Sequence, residues 1–130
     1  MQKVTTFLMF EGRAEEAMNL YCSLFEDAKI EKMEKYGEQE GATAGTVKHA
    51  IFSINGQQYM CIDSPVKHGF TFTPSISLYV NCTSEQEIEK LFSTLSEGGG
   101  VMMPLGAYPF SKKFAWISDR FGVSWQLNLV

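Results

Sequence analysis

The sequence of 130 residues is poor in the features that mark several common protein classes. Its three cysteines, Cys22, Cys61 and Cys82, are odd in number and widely spaced, which indicates reduced thiols rather than a disulfide framework or a zinc site. No apolar run approaches the roughly 20 residues that a membrane-spanning helix needs, and the N-terminus has no apolar stretch of signal-peptide length. We therefore expect a cytoplasmic protein that does not enter the membrane.

Basic charge is also scarce. Eleven Lys and Arg residues stand against fifteen Asp and Glu residues, for a formal net charge of -4. Nucleic-acid binding depends mainly on basic side chains that contact phosphates, so we expect no nucleic-acid partner. The hydrophobic fraction of 45% excludes wholesale disorder. What is present therefore indicates a globular chain of one domain, or of two small repeats.

The first half of the chain predicts a strand, a helix and three more strands. Strands are expected over residues 4–10, 28–36, 47–54 and 57–63, with a polar loop over 37–45. Ala14, Ala17, Met18 and Tyr21 follow the three- and four-residue spacing of an amphipathic helix. Asn55-Gly56 is a strong hairpin signal between the last two strands.

The second half predicts the same order of elements. Strands are expected over residues 75–80, 101–105, 114–118 and 123–130, with a loop over 106–113. Thr83 and Ser84 offer overlapping capping boxes for a helix that ends at the glycines of 98–100. An offset of 70 residues places Leu8 on Leu78. The sequence thus predicts an α+β fold of two βαβββ modules, about 1–66 and 67–130, within one domain.

Three segments carry a resemblance to a known family. They read FLMFEGRAEEA at residues 7–17, VKHAIF at 47–52 and KFAWISDRFGVSWQL at 113–127. With them, nearly the whole chain resembles the PhnB-like (3-demethylubiquinone-9 3-methyltransferase-like) branch of the vicinal-oxygen-chelate superfamily, which includes glyoxalases, bleomycin-resistance proteins and dioxygenases. The resemblance implies a curved, cup-like mixed sheet with helices outside, a homodimer, and, in the better-known enzymes, a divalent metal held by two ligands from each module.

The family's metal positions map here to Thr5, Met60, Ser75 and Gln126. Two hydroxyls, a thioether and an amide supply no charge, whereas divalent-metal sites use several carboxylate, imidazole or thiolate donors. We therefore expect no family-type metal and no other cofactor. A shift of one residue in the mapping would bring Glu11, His49 or Asp63 nearer these positions.

Strand alternation predicts which side chains would line the cup. His49 is expected to face it, either as a general base or ligand-orienting donor, or as a hydrogen-bonding wall residue without a catalytic role. The predicted lining is aromatic and neutral polar, typical of small-molecule pockets, although the same side chains could simply fill space. It comprises Phe7, Met9, His49, Gln58, Met60, Ser77, Tyr79, Phe114, Trp116 and Gln126.

Two classes of function remain open. The chain is either a metal-independent binder of a small organic molecule, or an enzyme of lyase, isomerase or dioxygenase type that uses His49 or a recruited metal. A purely structural dimer is a third reading. The family's methyltransferase label is disfavoured, because the chain has no room for a doubly wound nucleotide domain and no glycine-rich loop between a strand and a helix.

Overall fold

The structure, a computed structural model, describes residues 2–38 and 41–130. Gln39 and Glu40, within the predicted loop over 37–45, and Met1 lie outside the described residues. The chain divides into two compact units, Met1–His68 and Gly69–Val130. Each unit has its own sheet and helix, so each is described by itself.

The first unit is a four-stranded sheet with one helix. In chain order its elements are β1 (Thr6–Phe10), α1 (Ala14–Leu24), β2 (Ala28–Lys35), β3 (Val47–Ile54) and β4 (Gln57–Asp63). The strand order is β1-β4-β3-β2, with β1 and β4 parallel and the other pairs antiparallel. One sheet face packs on α1, where Tyr21 of the helix meets Phe52 of β3 at 6.2 Å between ring centroids. Its fully buried residues include Ala17, Met18, Tyr21, Ala50, Phe52 and Cys61.

The second unit repeats this plan. Its elements are β5 (Ser77–Cys82), α2 (Glu85–Ser96), β6 (Gly100–Tyr108), β7 (Ser111–Ser118) and β8 (Ser124–Leu129). The strand order is β5-β8-β7-β6, again with the outer pair β5 and β8 parallel. The buried helix residues Ile88, Leu91 and Leu95 lie against a sheet face whose buried members are Ala115, Ile117, Trp125 and Leu127. The α+β class and the two βαβββ modules predicted from the sequence are confirmed.

The predicted loop over residues 106–113 is wrong. β6 continues to Tyr108 and β7 begins at Ser111, so the connection is a short hairpin turn. Pro104 and Gly106 made this segment look irregular, but β6 is an edge strand, where proline is tolerated. Its register with β7 shifts around Met103 and Gly106. These irregular positions accommodate the proline and glycine, which would weaken a regular strand.

The two helices begin in different ways. α2 has Ser84 as its N-cap, and the Ser84 hydroxyl accepts a hydrogen bond from the Glu87 backbone N–H at 3.1 Å. α1 has Arg13 at its N-cap position, with no side-chain capping bond from that residue. In the described part of the chain, neither helix, of 11 and 12 residues, is long and apolar enough to cross a membrane.

The two buried thiols predict a loss of stability at alkaline pH. Burial raises the pKa of Cys61 to about 12, with smaller contributions from Asp63 and Cys22, and burial with Glu87 raises that of Cys82 to about 12. The folded state therefore favours the neutral thiols, and this stabilisation is complete below the unfolded pKa of about 8.5. We expect it to disappear as the pH rises from about 9 towards about 12.

Urea unfolding at a series of pH values measures this effect. A variant with both Cys61→Ala and Cys82→Ala should lose less stability across the same interval than the parent, because it lacks the two titrating thiols. If the free energy of unfolding falls equally with pH in the two proteins, these thiols do not cause the loss of stability at alkaline pH.

Candidate functional site

The sheet face opposite α1, here called the first open face, carries the predicted pocket residues of the first unit. Phe7 of β1 pairs with Met60 of β4, and Met60 pairs in turn with Ile51 of β3. Met9 and Gln58 lie on the same face by alternation. Phe7 is half-exposed and the others are partly exposed. This face is thus mainly apolar, and its methionine side chains can adapt to irregular partners.

His49 lies on the first open face at the side of β2. It pairs with Glu34, whose carboxylate forms an ion pair with Lys32 at 3.1 Å. The imidazole is partly exposed. Within residues 2–38 and 41–130 no hydrogen bond, ion pair or ring contact engages this side chain. Its two ring nitrogens are therefore available to a ligand.

The second open face, opposite α2, is built from alternate residues of β5, β8 and β7. Tyr79, Gln126 and Trp116 form one row across these strands, and Ser77, Ser124 and Ser118 form the next. Tyr79 is 55% exposed, while Trp116 and Gln126 are half-buried. This row therefore offers two aromatic rings with an amide between them.

A hydroxyl network holds this face together. Ser124, only 1% exposed, accepts a hydrogen bond from the Trp116 indole N–H at 2.9 Å, and its oxygen lies 2.7 Å from that of Ser77. The Gln126 amide donates to the Ser77 hydroxyl at 3.3 Å. The Ser124 hydroxyl also reaches the Pro74 carbonyl at 3.3 Å. The buried hydroxyl of Ser124 and its hydrogen-bond partners thus fix the orientation of the Trp116 ring.

Phe114, predicted to line the pocket, is covered by other rings. It is 3% exposed. Phe110 meets it edge-on at 4.9 Å between centroids, and Tyr108 and Tyr79 lie at 6.0 and 6.4 Å. The accessible aromatic surface at this end is therefore Phe110, which is 64% exposed at the β6–β7 turn, rather than Phe114.

Ser124→Ala is expected to lower the free energy of unfolding by about 1–2 kcal/mol, because it leaves the Trp116 N–H without its acceptor. Ser118→Ala is the matched control, since Ser118 pairs with Ser124 on the same face. For this control we expect a change within about 0.5 kcal/mol. Urea titration followed by tryptophan fluorescence measures both, and equal losses would show that the network does not anchor the indole.

Two buried carboxylates do not belong to either open face. Asp63, 2% exposed, accepts hydrogen bonds from the backbone N–H groups of Gly12, Ala14 and Val47 at 2.8–2.9 Å. Asp119 accepts from the Trp125 indole N–H at 2.9 Å and from backbone N–H groups of its own turn. Both carboxylates organise the backbone on the helix-packed side, so neither is placed to hold a ligand on an open face.

The strand register refines the mapped metal positions. Phe7 pairs with Met60, whereas Ser77, its counterpart at an offset of 70, pairs with Ser124. Met60 therefore corresponds to Ser124, and Gln126 corresponds to Ile62. Thr5 and Ser75 precede their strands, and each contacts a neutral side chain: Thr5 accepts from the Gln2 amide at 3.4 Å, and the Ser75 hydroxyl lies 3.0 Å from that of Thr73. On either alignment, hydroxyl, thioether, amide and hydrocarbon groups do not fit a divalent metal.

Sequence reasoning missed several residues of the second open face. Asn81 and Asn128 pair across β5 and β8 and share a hydrogen bond at 3.1 Å. They continue the alternation of Ser77 and Tyr79 and of Ser124 and Gln126, so the signal was present in the strand pattern. Phe110 was missed because its segment was expected to be a loop, and no local pattern marks its contact with Phe114.

Known proteins resemble this chain over almost its whole length. A family model described as 3-demethylubiquinone-9 3-methyltransferase matches residues 2–128. The PhnB protein of Bacillus cereus is 58% identical, with 99% of this chain and 100% of that chain covered and a TM-score of 0.98. A protein of Pseudomonas aeruginosa is 30% identical, with 99% and 98% covered and a TM-score of 0.85.

More distant matches show the fold alone. The fosfomycin resistance protein FosX of Listeria monocytogenes is 12% identical, with 100% of this chain and 93% of that chain covered and a TM-score of 0.61. No curated protein matches the chain at a significant level. The family model and the two closer structures each span almost the whole chain. The chain therefore belongs to the 3-demethylubiquinone-9 3-methyltransferase (PhnB-like) family.

Proposed function

We propose that this protein binds a small organic molecule on its open sheet faces, without the divalent metal of the better-known relatives. The observation that carries the proposal is the second open face, where Trp116 is held in a set orientation while part of its ring stays accessible. Small-molecule sites combine apolar and aromatic surface with few, well-placed polar groups, which matches Trp116, Tyr79 and Gln126. The first open face, with Phe7, Met9 and Met60, offers a separate apolar surface to such a molecule.

A thermal-shift screen tests this proposal. The protein, treated with chelator, is screened against a metabolite library and separately against divalent metals. A ligand that binds only the folded state, at a concentration of about 100 times its Kd, should add about 2.7 kcal/mol to the free energy of unfolding and raise Tm by several degrees. An organic molecule should do this without metal, and Trp116→Leu should weaken the shift. Stabilisation by micromolar divalent metal alone, with a stoichiometric ion found by metal analysis, would contradict the proposal.

A second candidate function is catalysis by His49. Its half-buried imidazole has no side-chain partner among the residues that the structure describes, so it could accept a proton from a bound substrate. The pairing of His49 with Glu34 places a carboxylate on the neighbouring strand. The reaction would be of lyase, isomerase or dioxygenase type. A recruited divalent metal, instead of His49, is the alternative catalytic group.

His49→Gln separates the two candidates. Glutamine keeps a neutral polar side chain but cannot act as a base near neutral pH. If the ligand from the screen is consumed by the parent and not by the variant, His49 takes part in catalysis. If the ligand binds both proteins equally and is recovered unchanged, His49 forms part of a binding wall.

S-adenosylmethionine-dependent methyl transfer is not part of the proposal, despite the family's description. Each described sheet has four strands with one parallel pair and a helix on one face only. A doubly wound nucleotide domain needs parallel strands with helices on both faces and a glycine-rich turn that opens a helix. The residues present do not fit that cofactor.

The proposal also includes a homodimer in the cytoplasm. The dimer rests on family membership, and the compartment on the three cysteines, which are all free. Light scattering of the purified protein tests the first, since a monomeric mass would contradict it. Fractionation of cells that express the protein tests the second.

A further inference from the structure

We infer that the molecule recognised by the second open face is uncharged and planar, and that it carries an amide-like donor and acceptor pair. This inference rests on the proposed function and names the ligand class for one of its faces. It depends on three features of the second unit: the charge of the face, the orientation of Trp116 and the free edge of the Gln126 amide.

The first feature is a lack of charge. The three paired rows of β5, β8 and the final part of β7 contain no Lys, Arg, His, Asp or Glu. They consist of Ser77, Tyr79, Asn81, Phe114, Trp116, Ser118, Ser124, Gln126 and Asn128. Lys113 points to α2, where it contacts Glu85 and Glu89 at 3.4 and 3.1 Å. Lys112 lies one step beyond the last paired row, on the side of Phe114, and is exposed. A charged ligand stacked on Trp116 would thus lose water and meet no counter-charge within the paired rows.

The second feature is the stacking surface. The Trp116 N–H is engaged by Ser124, so the indole offers a ligand its flat face rather than its donor. Tyr79 stands in the same row beyond Gln126 and is half-exposed. Planar aromatic or heteroaromatic groups bury the most area against such rings at little conformational cost.

The third feature is the Gln126 amide. One of its N–H groups donates to Ser77, which fixes the orientation of the amide. Within the described ranges no other side-chain bond involves Gln126, so its oxygen and its second N–H remain for a ligand. A primary amide or a lactam presents the complementary donor and acceptor side by side, whereas a carboxylate presents acceptors alone and an ammonium group donors alone.

Three probes of similar size test the inference: 2-naphthamide, 2-naphthoate and 2-naphthylmethylammonium. Ligand-observed NMR with the 130-residue chain measures the Kd of each. We expect the amide to bind at least about tenfold more tightly than either ion, because each ion would be desolvated without a partner. Its Kd should also stay constant between low and high salt, since no charge is screened.

Three variants locate the effect. Trp116→Leu should strongly weaken binding of the amide probe. Gln126→Glu should instead reverse the preference towards the ammonium probe by placing a carboxylate on the face. Gln126→Leu should weaken binding of the amide probe several-fold, because it removes the donor and acceptor pair, and so narrow its advantage over the ions, which still meet no counter-charge. Circular dichroism confirms that each variant is folded.

The outcomes separate this inference from the proposed function. If naphthoate or the ammonium probe binds as tightly as the amide, and binding is lost in Trp116→Leu, the ligand class is wrong while the binding site stands. If none of the three binds, the inference is overturned. The proposed function is overturned as well only when the metabolite library also contains no stabilising molecule.

Discussion

Gly99→Ala is expected to lower the free energy of unfolding by about 3 kcal/mol or more. A Cβ atom at this position would overlap the carbonyl oxygen of Ser118 and lie 2.8 Å from the carbonyl carbon of Asp119. Both are backbone atoms in the turn that Asp119 organises, so neither can rotate away as a side chain would. Urea unfolding followed by circular dichroism measures the loss.

Gly100→Ala is the matched control. The nearest atom to its added Cβ is the Ser118 hydroxyl oxygen at 3.3 Å, which belongs to a side chain that can rotate. We expect this variant to lose no more than about 1 kcal/mol. Equal stability of the two variants would show that the close approach at Gly99 is relieved by movement of the chain.

Asp63→Ala is expected to remove about 3–5 kcal/mol of stability, because three backbone N–H groups, two of them in buried hydrogen bonds, lose their acceptor together. Asp63→Asn should cost less. Its single oxygen can still accept from Gly12 and Ala14, which share Oδ1, but its amide group would face the Val47 N–H. We therefore expect the parent to be the most stable, Asp63→Asn to be less stable and Asp63→Ala to be the least stable.

Asp27→Asn serves as the control for this series. Asp27 is exposed, so loss of its charge should change the free energy of unfolding by no more than about 0.5 kcal/mol. Denaturant titration of all four proteins at one pH gives the comparison. An Asp63→Ala variant within about 1 kcal/mol of the parent would show that water replaces the carboxylate at the start of α1.

The sequence predicted best those elements whose signals are local. The predicted bounds of β3 and β4 agree with the structure because alternating apolar residues flank Asn55-Gly56, and both turn residues adopt positive φ, 52° and 83°. The start of α2 was equally legible from Ser84 and Glu87. The apolar spacing also placed the start of α1 at Ala14, as in the structure, but it did not reveal the cap, since the carboxylate that accepts from the Ala14 N–H belongs to Asp63, 49 residues away.

The candidate site shows the same difference between local signals, which the sequence reveals, and long-range contacts, which it does not. Alternation was enough to assign residues such as Tyr79, Trp116 and Gln126 to one face. Alternation does not give the register between strands, so the Ser124 acceptor for the Trp116 indole could not be derived. The burial of Phe114 depends on Phe110, which lies across a hairpin that was expected to be a loop.

The difference between the two helix starts bears on the order in which the chain folds. α2 begins at a side chain three residues from its partner, so its first turn can form as soon as that segment leaves the extended state. α1 gains its cap only when β4 has returned to lie beside β1, which requires a loop of 49 residues to close. The entropy of that closure must be met before the first helix gains its cap, so the cap of α1 forms only together with the sheet, whereas the cap of α2 does not depend on it.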